Sequence, residues 1–233
     1  MSSEALLKIS FATLTLSFVL NALLSNLSRG LADLSMLAFF TASLLLAIPK
    51  MRFIPLLPLI SSVMGFAFEY LGLSYGIPFG SYTYLKFRGF TIFGVPVPVI
   101  IAWGVYTYTC YLAASHLSYG KVKILITSFL MVLLDSGLDP VMVELGVWEW
   151  RSGRGPEWFG VPLSNFLGWF VVSLISVWLY ALISRRRDLS VKLPHQAYIP
   201  YLSIYLMLLL SSGPASRIPA GLSFSVALLL FVK

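Results

Sequence analysis

The sequence predicts an all-α integral membrane protein, a bundle of seven to eight transmembrane helices. Its 233 residues are 58% hydrophobic and 11% charged, and the mean hydropathy is +0.88. An average soluble domain has about twice that charged fraction, so a soluble chain could not cover this much apolar surface. Disordered chains are poor in apolar residues and are excluded for the same reason. We expect residues 1–233 to form a single polytopic membrane domain.

Apolar runs of about twenty residues, long enough to cross the hydrocarbon core as helices, divide the chain into its elements. The expected helices span residues 6–27, 32–49, 54–73, 92–116, 122–145, 161–184 and 197–212. An eighth run at 217–232 is shorter, and whether it crosses the membrane is left open.

The positions of lysine and arginine predict the orientation. With the N-terminus inside, ten of the 16 basic residues fall on inner segments and six on outer ones, and the cluster Arg185–Arg187 is inside. Because inner loops are enriched in Lys and Arg, we expect a cell-membrane protein with a cytoplasmic N-terminus. The formal charge of +7 then reflects these loops, and no nucleic-acid partner is expected.

The middle of the chain contains an internal repeat. Residues 80–103 align without a gap to residues 146–169, with eight identities in twenty-four positions, where background composition gives about one or two. We therefore expect two parallel helix-loop-helix units, residues 64–103 and 130–169, related by an axis along the membrane normal. The alignment superposes Glu69 on Asp135, Trp103 on Trp169, and Tyr82 and Tyr84 on Trp148 and Trp150.

Four polar residues lie within apolar helices. Glu69 belongs to the third helix, Asp135 and Asp139 to the fifth, and Asn165 to the sixth. A charge at the bilayer centre costs about 2.5–3.5 kcal/mol on insertion scales, so such residues indicate function. Their similar depths predict that all four line one cavity in the outer half of the bundle. Asp135 and Asp139 are four residues apart and project from the same helix face.

The two aspartates are the candidate acid. Their mutual repulsion and their separation from water are expected to keep one of them protonated near neutral pH, as a general acid requires. The alternative is structural: the acids would pair with Arg88 and Arg154 and lock the outer loops. That alternative is more plausible for Glu69 than for the aspartate pair.

Other residues have simpler expectations. Pro140 directly follows Asp139, which predicts a break in the fifth helix and a free carbonyl at Ser136. Asp33 and Glu144 are expected to be interfacial. The lone Cys110 and the two histidines, both far from the acids, predict no metal site, and we expect no cofactor.

Four motifs suggest a family. They are FEYLG at 68–72, GIPFGSYTY at 76–84, LDPV at 138–141 and GVPLSNFLGW at 160–169. As an ordered set they resemble the carotenoid biosynthesis membrane proteins that include the carotenoid 1,2-hydratases of the bisanhydrobacterioruberin hydratase type. The resemblance covers residues 64–172, and Trp158–Phe159 stands where Tyr-Phe is expected.

This resemblance implies a cofactor-independent hydro-lyase. It would add water to the terminal C=C of an acyclic carotenoid, such as bisanhydrobacterioruberin or a carotenoid with a lycopene-type ψ-end. Such a reaction needs a proton donor, a place for a tertiary carbocation and a held water. In this interpretation Asp135 or Asp139 protonates the alkene, Asn165 and the other aspartate hold the water, and Glu69 orients the group.

Aromatic side chains are the candidate contacts for a carotenoid or other long polyisoprenoid. The faces of Trp103 and Trp169 would stabilise a cation. The proposed substrate-binding residues are Tyr70, Trp103, Tyr106, Trp148, Trp150 and Trp169. Tyr82, Tyr84, Arg88 and Arg154 are assigned to loop structure. The loop tryptophans fit an ordinary interfacial belt in the lipid bilayer equally well.

Two other functions remain open at this stage. A carotenoid end-group cyclase or isomerase would form the same cation and differ only in how it is quenched. A proton-coupled carrier of lipids or small molecules would need a pathway that opens to both faces of the membrane. A wet pocket beside the acids favours hydration, and a dry aromatic pocket favours cyclisation.

Overall fold

The computed structural model describes residues 1–25, 27–86, 89–151 and 155–231. Within them the chain forms eight α-helices joined by short turns, strands and two 3-10 helices. The helices are α1 (Ser3–Leu24), α2 (Arg29–Ala47), α3 (Leu56–Tyr75), α4 (Val97–Leu117), α5 (Val122–Glu144), α6 (Leu163–Ile183), α7 (Ile199–Ser211) and α8 (Arg217–Phe231).

All eight expected elements form helices, and six of them, α1 to α6, are long and apolar enough to cross a membrane. The last two are shorter, with 13 and 15 residues. Tyr201 and Tyr205 of α7 are fully buried and hydrogen-bonded to each other at 2.8 Å, so α7 is part of the packed bundle. The chain is therefore a mostly helical, multi-pass membrane protein.

The bundle has a central group of four helices. In it α3 packs on α4 and α6, and α5 packs on α4 and α6. Around it α1 packs on α2 and α7, while α8 packs on α5 and α7. Close approach requires small residues at the contacts. A Cβ on Gly65 of α3, for example, would overlap the indole of Trp103 on α4.

Short strands cover the ends of the central helices. Strand β1 (Tyr82–Tyr84) pairs antiparallel with β4 (Trp148–Trp150), so the two long loops join each other. The remaining strands form two small hairpins, β2 (Thr91–Ile92) with β3 (Val95–Pro96) and β5 (Glu157–Trp158) with β6 (Val161–Pro162). These hairpins occupy residues that the sequence assigned to helices beginning at 92 and 161. The helices α4 and α6 therefore begin later than expected.

The two hairpins have the same register and the same turn. Phe93 and Phe159 have φ of 47° and 48°, and the glycines after them have φ of 83° and 81°. A non-glycine residue is uncommon at such a φ, so its occurrence at two positions 66 residues apart is a specific local similarity.

The predicted break at Pro140 is wrong, because α5 continues through it from Val122 to Glu144. Proline removes the N–H that would bond to the carbonyl four residues earlier, here that of Ser136. The indole Nε1 of Trp158 donates to this carbonyl at 2.9 Å. A side chain from the neighbouring hairpin thus replaces the missing backbone donor, and the helix stays intact.

Candidate active site

A cavity of about 260 Å³ lies among the helix ends that the two long loops cover. Polar side chains from α3, α5 and α6 line the cavity, and residues along one face of α4 also contribute to its wall. The lining residues are Asn21, Asp33, Met36, Glu69, Phe79, Tyr82, Tyr84, Pro98, Val99, Ala102, Trp103, Tyr106, Leu138, Asp139, Met142, Trp148, Trp150, Asn165, Trp169 and Met207. The cavity is mainly apolar and aromatic, with a few polar groups on opposite walls.

The amide of Asn165 joins the two aspartates. Its Nδ2 donates to Oδ2 of Asp135 at 2.7 Å and to Oδ2 of Asp139 at 2.6 Å. All three side chains are at most 2% exposed. The spacing of four residues in α5 and the position of Asn165 near the start of α6 create this arrangement, because α5 and α6 are packed neighbours. The sequence thus correctly brought these three residues together.

Asp135 differs from its expected position, because it lies behind the cavity wall while Asp139 and Asn165 line the wall. Among the described residues, Asp135 Oδ1 accepts no hydrogen bond. The carboxyl groups of Asp135 and Asp139 interact directly. That contact becomes a hydrogen bond only when one of the two carries a proton, since an ionised carboxylate has no donor.

Glu69 occupies the opposite wall and is surrounded by donors. One carboxylate oxygen accepts hydrogen bonds from the hydroxyls of Tyr82 and, at 2.7 Å, Tyr84. The other accepts from Nε1 of Trp103 at 2.9 Å. Burial and the nearby charge of Glu69 raise the pKa of Tyr82 above its usual value, so this hydroxyl remains a neutral donor. The proposed arginine partners, Arg88 and Arg154, lie outside the described residues.

Two tryptophans lie between the acidic walls. The ring centroids of Trp103 and Trp169 are 4.5 Å apart, and the planes are inclined by 32°. Phe79 also packs against Trp103, and its carbonyl accepts a hydrogen bond from Trp150 Nε1 at 3.0 Å. Trp148 and Trp150 of β4 are part of the cavity wall.

One residue differs from its sequence expectation, and two others have contacts that the sequence did not indicate. Tyr70 is 44% exposed, packs edge-on against Phe93 and does not line the cavity. Asp33, expected to be merely interfacial, lines the cavity together with Asn21. Glu144 accepts backbone N–H bonds from Ala215 and Ser216 just before α8 begins, so its role is to anchor that helix.

In the part of the chain that the structure describes, no three His, Cys, Asp or Glu residues are grouped as metal ligands.

Comparison with known proteins identifies the family. A model of the family described as carotenoid biosynthesis protein matches residues 31–231, which is most of the chain. The chain belongs to this family. The family match begins in α2 and includes every polar side chain of the two acidic walls. Membership implies a substrate from carotenoid biosynthesis, and it confirms the resemblance found in the four motifs.

The chain is also similar to one named relative. Bisanhydrobacterioruberin hydratase of Haloarcula japonica is 28% identical over 127 residues. The alignment covers 51% of this chain and 42% of the relative, so the chain matches less than half of the relative's length. No solved structure matches the chain.

Proposed function

We propose that this carotenoid biosynthesis protein is a hydratase that adds water to the terminal C=C of an acyclic carotenoid. The observation that carries the proposal is the bond from one amide, Asn165, to two carboxyl groups at the wall of a mainly apolar cavity. The name of the Haloarcula relative supports the same reaction. An apolar cavity suits the hydrocarbon end group, and the carboxyl pair suits its protonation.

Asp139 is the proton donor in this proposal, because it reaches the cavity and Asp135 does not. Its carboxyl proton passes to the less substituted carbon of the double bond, and the adjacent carbon becomes a tertiary cation. A water molecule attacks this cation through its oxygen. The oxonium then loses a proton to the Asp139 carboxylate, which regenerates the acid, so the net reaction adds one water to the alkene.

Asp135 and Asn165 are positioning residues for this step. Two buried carboxyl groups in contact hold a single proton more readily than two negative charges. The Asn165 amide uses both its hydrogens on the pair, and its oxygen is the acceptor suited to hold the attacking water. No metal is required for this sequence of proton transfers.

Glu69 stabilises the cation from the other wall. In this proposal its carboxyl group is ionised, with the hydrogen bonds from Tyr82, Tyr84 and Trp103 offsetting part of the cost of burial, and its negative charge lies across the cavity from the acid pair. The faces of Trp103 and Trp169 add a second attraction for the cation, which is strongest in a water-poor site. In this proposal the aspartate pair supplies the acid and Glu69 supplies the anion, because their surroundings differ.

The cavity size supports binding of an end group alone. Sites for drug-sized ligands have volumes of about 300–1,000 Å³. A cavity of about 260 Å³ is too small for a complete carotenoid, so the remaining polyene stays in the bilayer. We place the N-terminus in the cytoplasm and the cavity in the outer half of the membrane, as the charge distribution indicates.

The internal repeat also belongs to the proposal. We assign residues 64–103 and 130–169 to two related units, because their hairpins and positive-φ turns correspond at an offset of 66 residues. Asp139 and Asn165 correspond to Leu73 and Val99 at that offset. Shared architecture does not account for these two polar residues, which supports their assignment to chemistry.

Expression in bacteria that accumulate acyclic carotenoids, lycopene and bisanhydrobacterioruberin in separate strains, tests the function. Chromatography with mass analysis should detect a pigment heavier by one water for each end that reacts. A cyclase or isomerase would give a pigment of unchanged mass and altered retention. Membrane insertion is verified in each strain, and unchanged pigments in all of them would contradict the proposal.

A further inference from the structure

Two polar residues of the first two helices line the cavity near the helix ends. Asn21 lies near the end of α1, and Asp33 lies one turn after the start of α2. Both line the cavity, and Asp33 is exposed while Asn21 is half-buried. Met36, three residues after Asp33, continues the same wall as an apolar surface.

Beyond these residues, side chains of α2 contact α4. One turn past Met36, the ring of Phe40 packs edge-on against Tyr108 of α4, with centroids 5.6 Å apart. Ser43 then contacts the hydroxyl of Tyr108 at 3.3 Å and that of Ser10 at 3.0 Å. Side chains of α2 therefore contact α4 beyond Met36, whereas Asp33, nearer the start of α2, is exposed.

Hydration needs a supply of water, which the acid pair does not provide. Each turnover consumes one water molecule, and the hydrocarbon substrate arrives from lipid without any. A water molecule in protein needs two to four polar partners, and apolar cavities stay dry. Pro98, Val99, Ala102 and Met207 offer it no side-chain partners, so the polar groups of this part of the wall are limited to Trp103 and Tyr106.

We propose that Asn21 and Asp33 form a water-entry port that supplies the site from the membrane surface. This inference rests on the proposed hydratase function. The two side chains hydrate this part of the cavity, so that water replaces each molecule consumed at Asn165. They act on the supply of water and touch neither the proton donor nor the alkene, which makes them positioning residues.

The port should control the fate of the carbocation. The cation can react in two ways. Water captures it and gives the alcohol, or a neighbouring carbon loses a proton and an alkene forms again. In D₂O the acid delivers deuterium, so loss of a proton from the cation leaves deuterium in the recovered alkene. A shortage of water slows only capture. Loss of the port should therefore raise the ratio of deuterated alkene to alcohol.

Membranes containing the full-length protein, supplied with an acyclic carotenoid in D₂O buffer, allow this ratio to be measured at low conversion. Early sampling excludes deuterium introduced by dehydration of the product. The variants are Asp33→Leu and Asn21→Leu, with Asp33→Asn as the polar replacement and Met36→Leu as the control on the same wall. Both products come from one sample, so the ratio does not depend on how much protein folds.

We expect the ratio to rise severalfold in Asp33→Leu and Asn21→Leu and to stay at the wild-type value in Asp33→Asn and Met36→Leu. An unchanged ratio in both leucine variants would overturn the port. A ratio in Asp33→Asn as high as in Asp33→Leu would also overturn it, because charge and not hydration would then be required. Wild-type protein that deuterates the alkene without forming alcohol would instead contradict the hydratase function itself.

Discussion

The indole rings of Trp103 and Trp169 pack against each other with their centroids 4.5 Å apart, although 66 residues separate them in the chain. Trp103 is further fixed by its hydrogen bond to Glu69, and Trp169 is one turn beyond Asn165 on α6. The aromatic pair therefore connects the wall that bears Glu69 with the wall that bears the aspartate pair. A cation formed between these walls would meet aromatic faces and a carboxylate together.

Replacing Trp169 should separate aromatic stabilisation from simple packing. A cation–π contact contributes about 2 kcal/mol in a desolvated site, which corresponds to about 30-fold in rate. We expect Trp169→Leu to slow alcohol formation by about that factor and Trp169→Phe to retain most of the activity. Trp178→Leu is the control, because Trp178 is on the same helix but 50% exposed. Wild-type rates in Trp169→Leu would contradict the role.

The hydrogen bond from Trp158 to the Ser136 carbonyl predicts that changes at Trp158 and Pro140 have non-additive effects on stability. Trp158→Phe leaves this carbonyl without its donor and should lower the free energy of unfolding by about 1–3 kcal/mol. In a Pro140→Ala background the backbone N–H of residue 140 can donate instead, so the same change should cost much less. Thermal unfolding in detergent of the wild type, both single variants and the double variant measures this. Strictly additive losses would contradict the compensation.

Close packing at Gly168 predicts a second stability effect. A Cβ there would lie 2.5 Å from the ring of Phe79 and 3.0 Å from Pro78. Gly168→Ala should therefore destabilise the protein by about 1–3 kcal/mol, the usual cost of overpacking. Gly221→Ala is the matched control, since nothing lies within 4 Å of its Cβ and alanine favours the helix. Equal unfolding temperatures for the two variants would refute the packing.

The sequence predicted the acid group well for a physical reason. Charged residues in apolar helices stand out, and a spacing of four residues places Asp135 and Asp139 on one helix face. The two loops that the offset of 66 residues aligns contain the strands β1 and β4, which pair with each other. Helix limits were less accurate near residues 92 and 161, because hydropathy alone does not distinguish a short apolar hairpin from the first turn of a helix.

Other features depended on contacts between distant segments. The donors to Glu69 come from β1 and α4, and spacing along the sequence does not indicate which hydroxyl or indole reaches the carboxylate. The sequence predicts an interfacial position for Asp33, because it is near a helix end. Its cavity position follows from the packing of α2 across from α4. Pro140 was misread because the donor that preserves the helix, Trp158, lies 22 residues away from Ser136.

The proton donor is the central claim, and its most direct measurement is the rate of water addition by Asp139→Asn in membranes with matched amounts of inserted protein. General acids contribute about 10²–10⁴-fold, so we predict a loss of at least a hundredfold, with a smaller loss in Asp135→Asn. Glu144→Gln, at the end of the same helix and outside the cavity, should keep the wild-type rate. Wild-type rates in both aspartate variants would contradict the account.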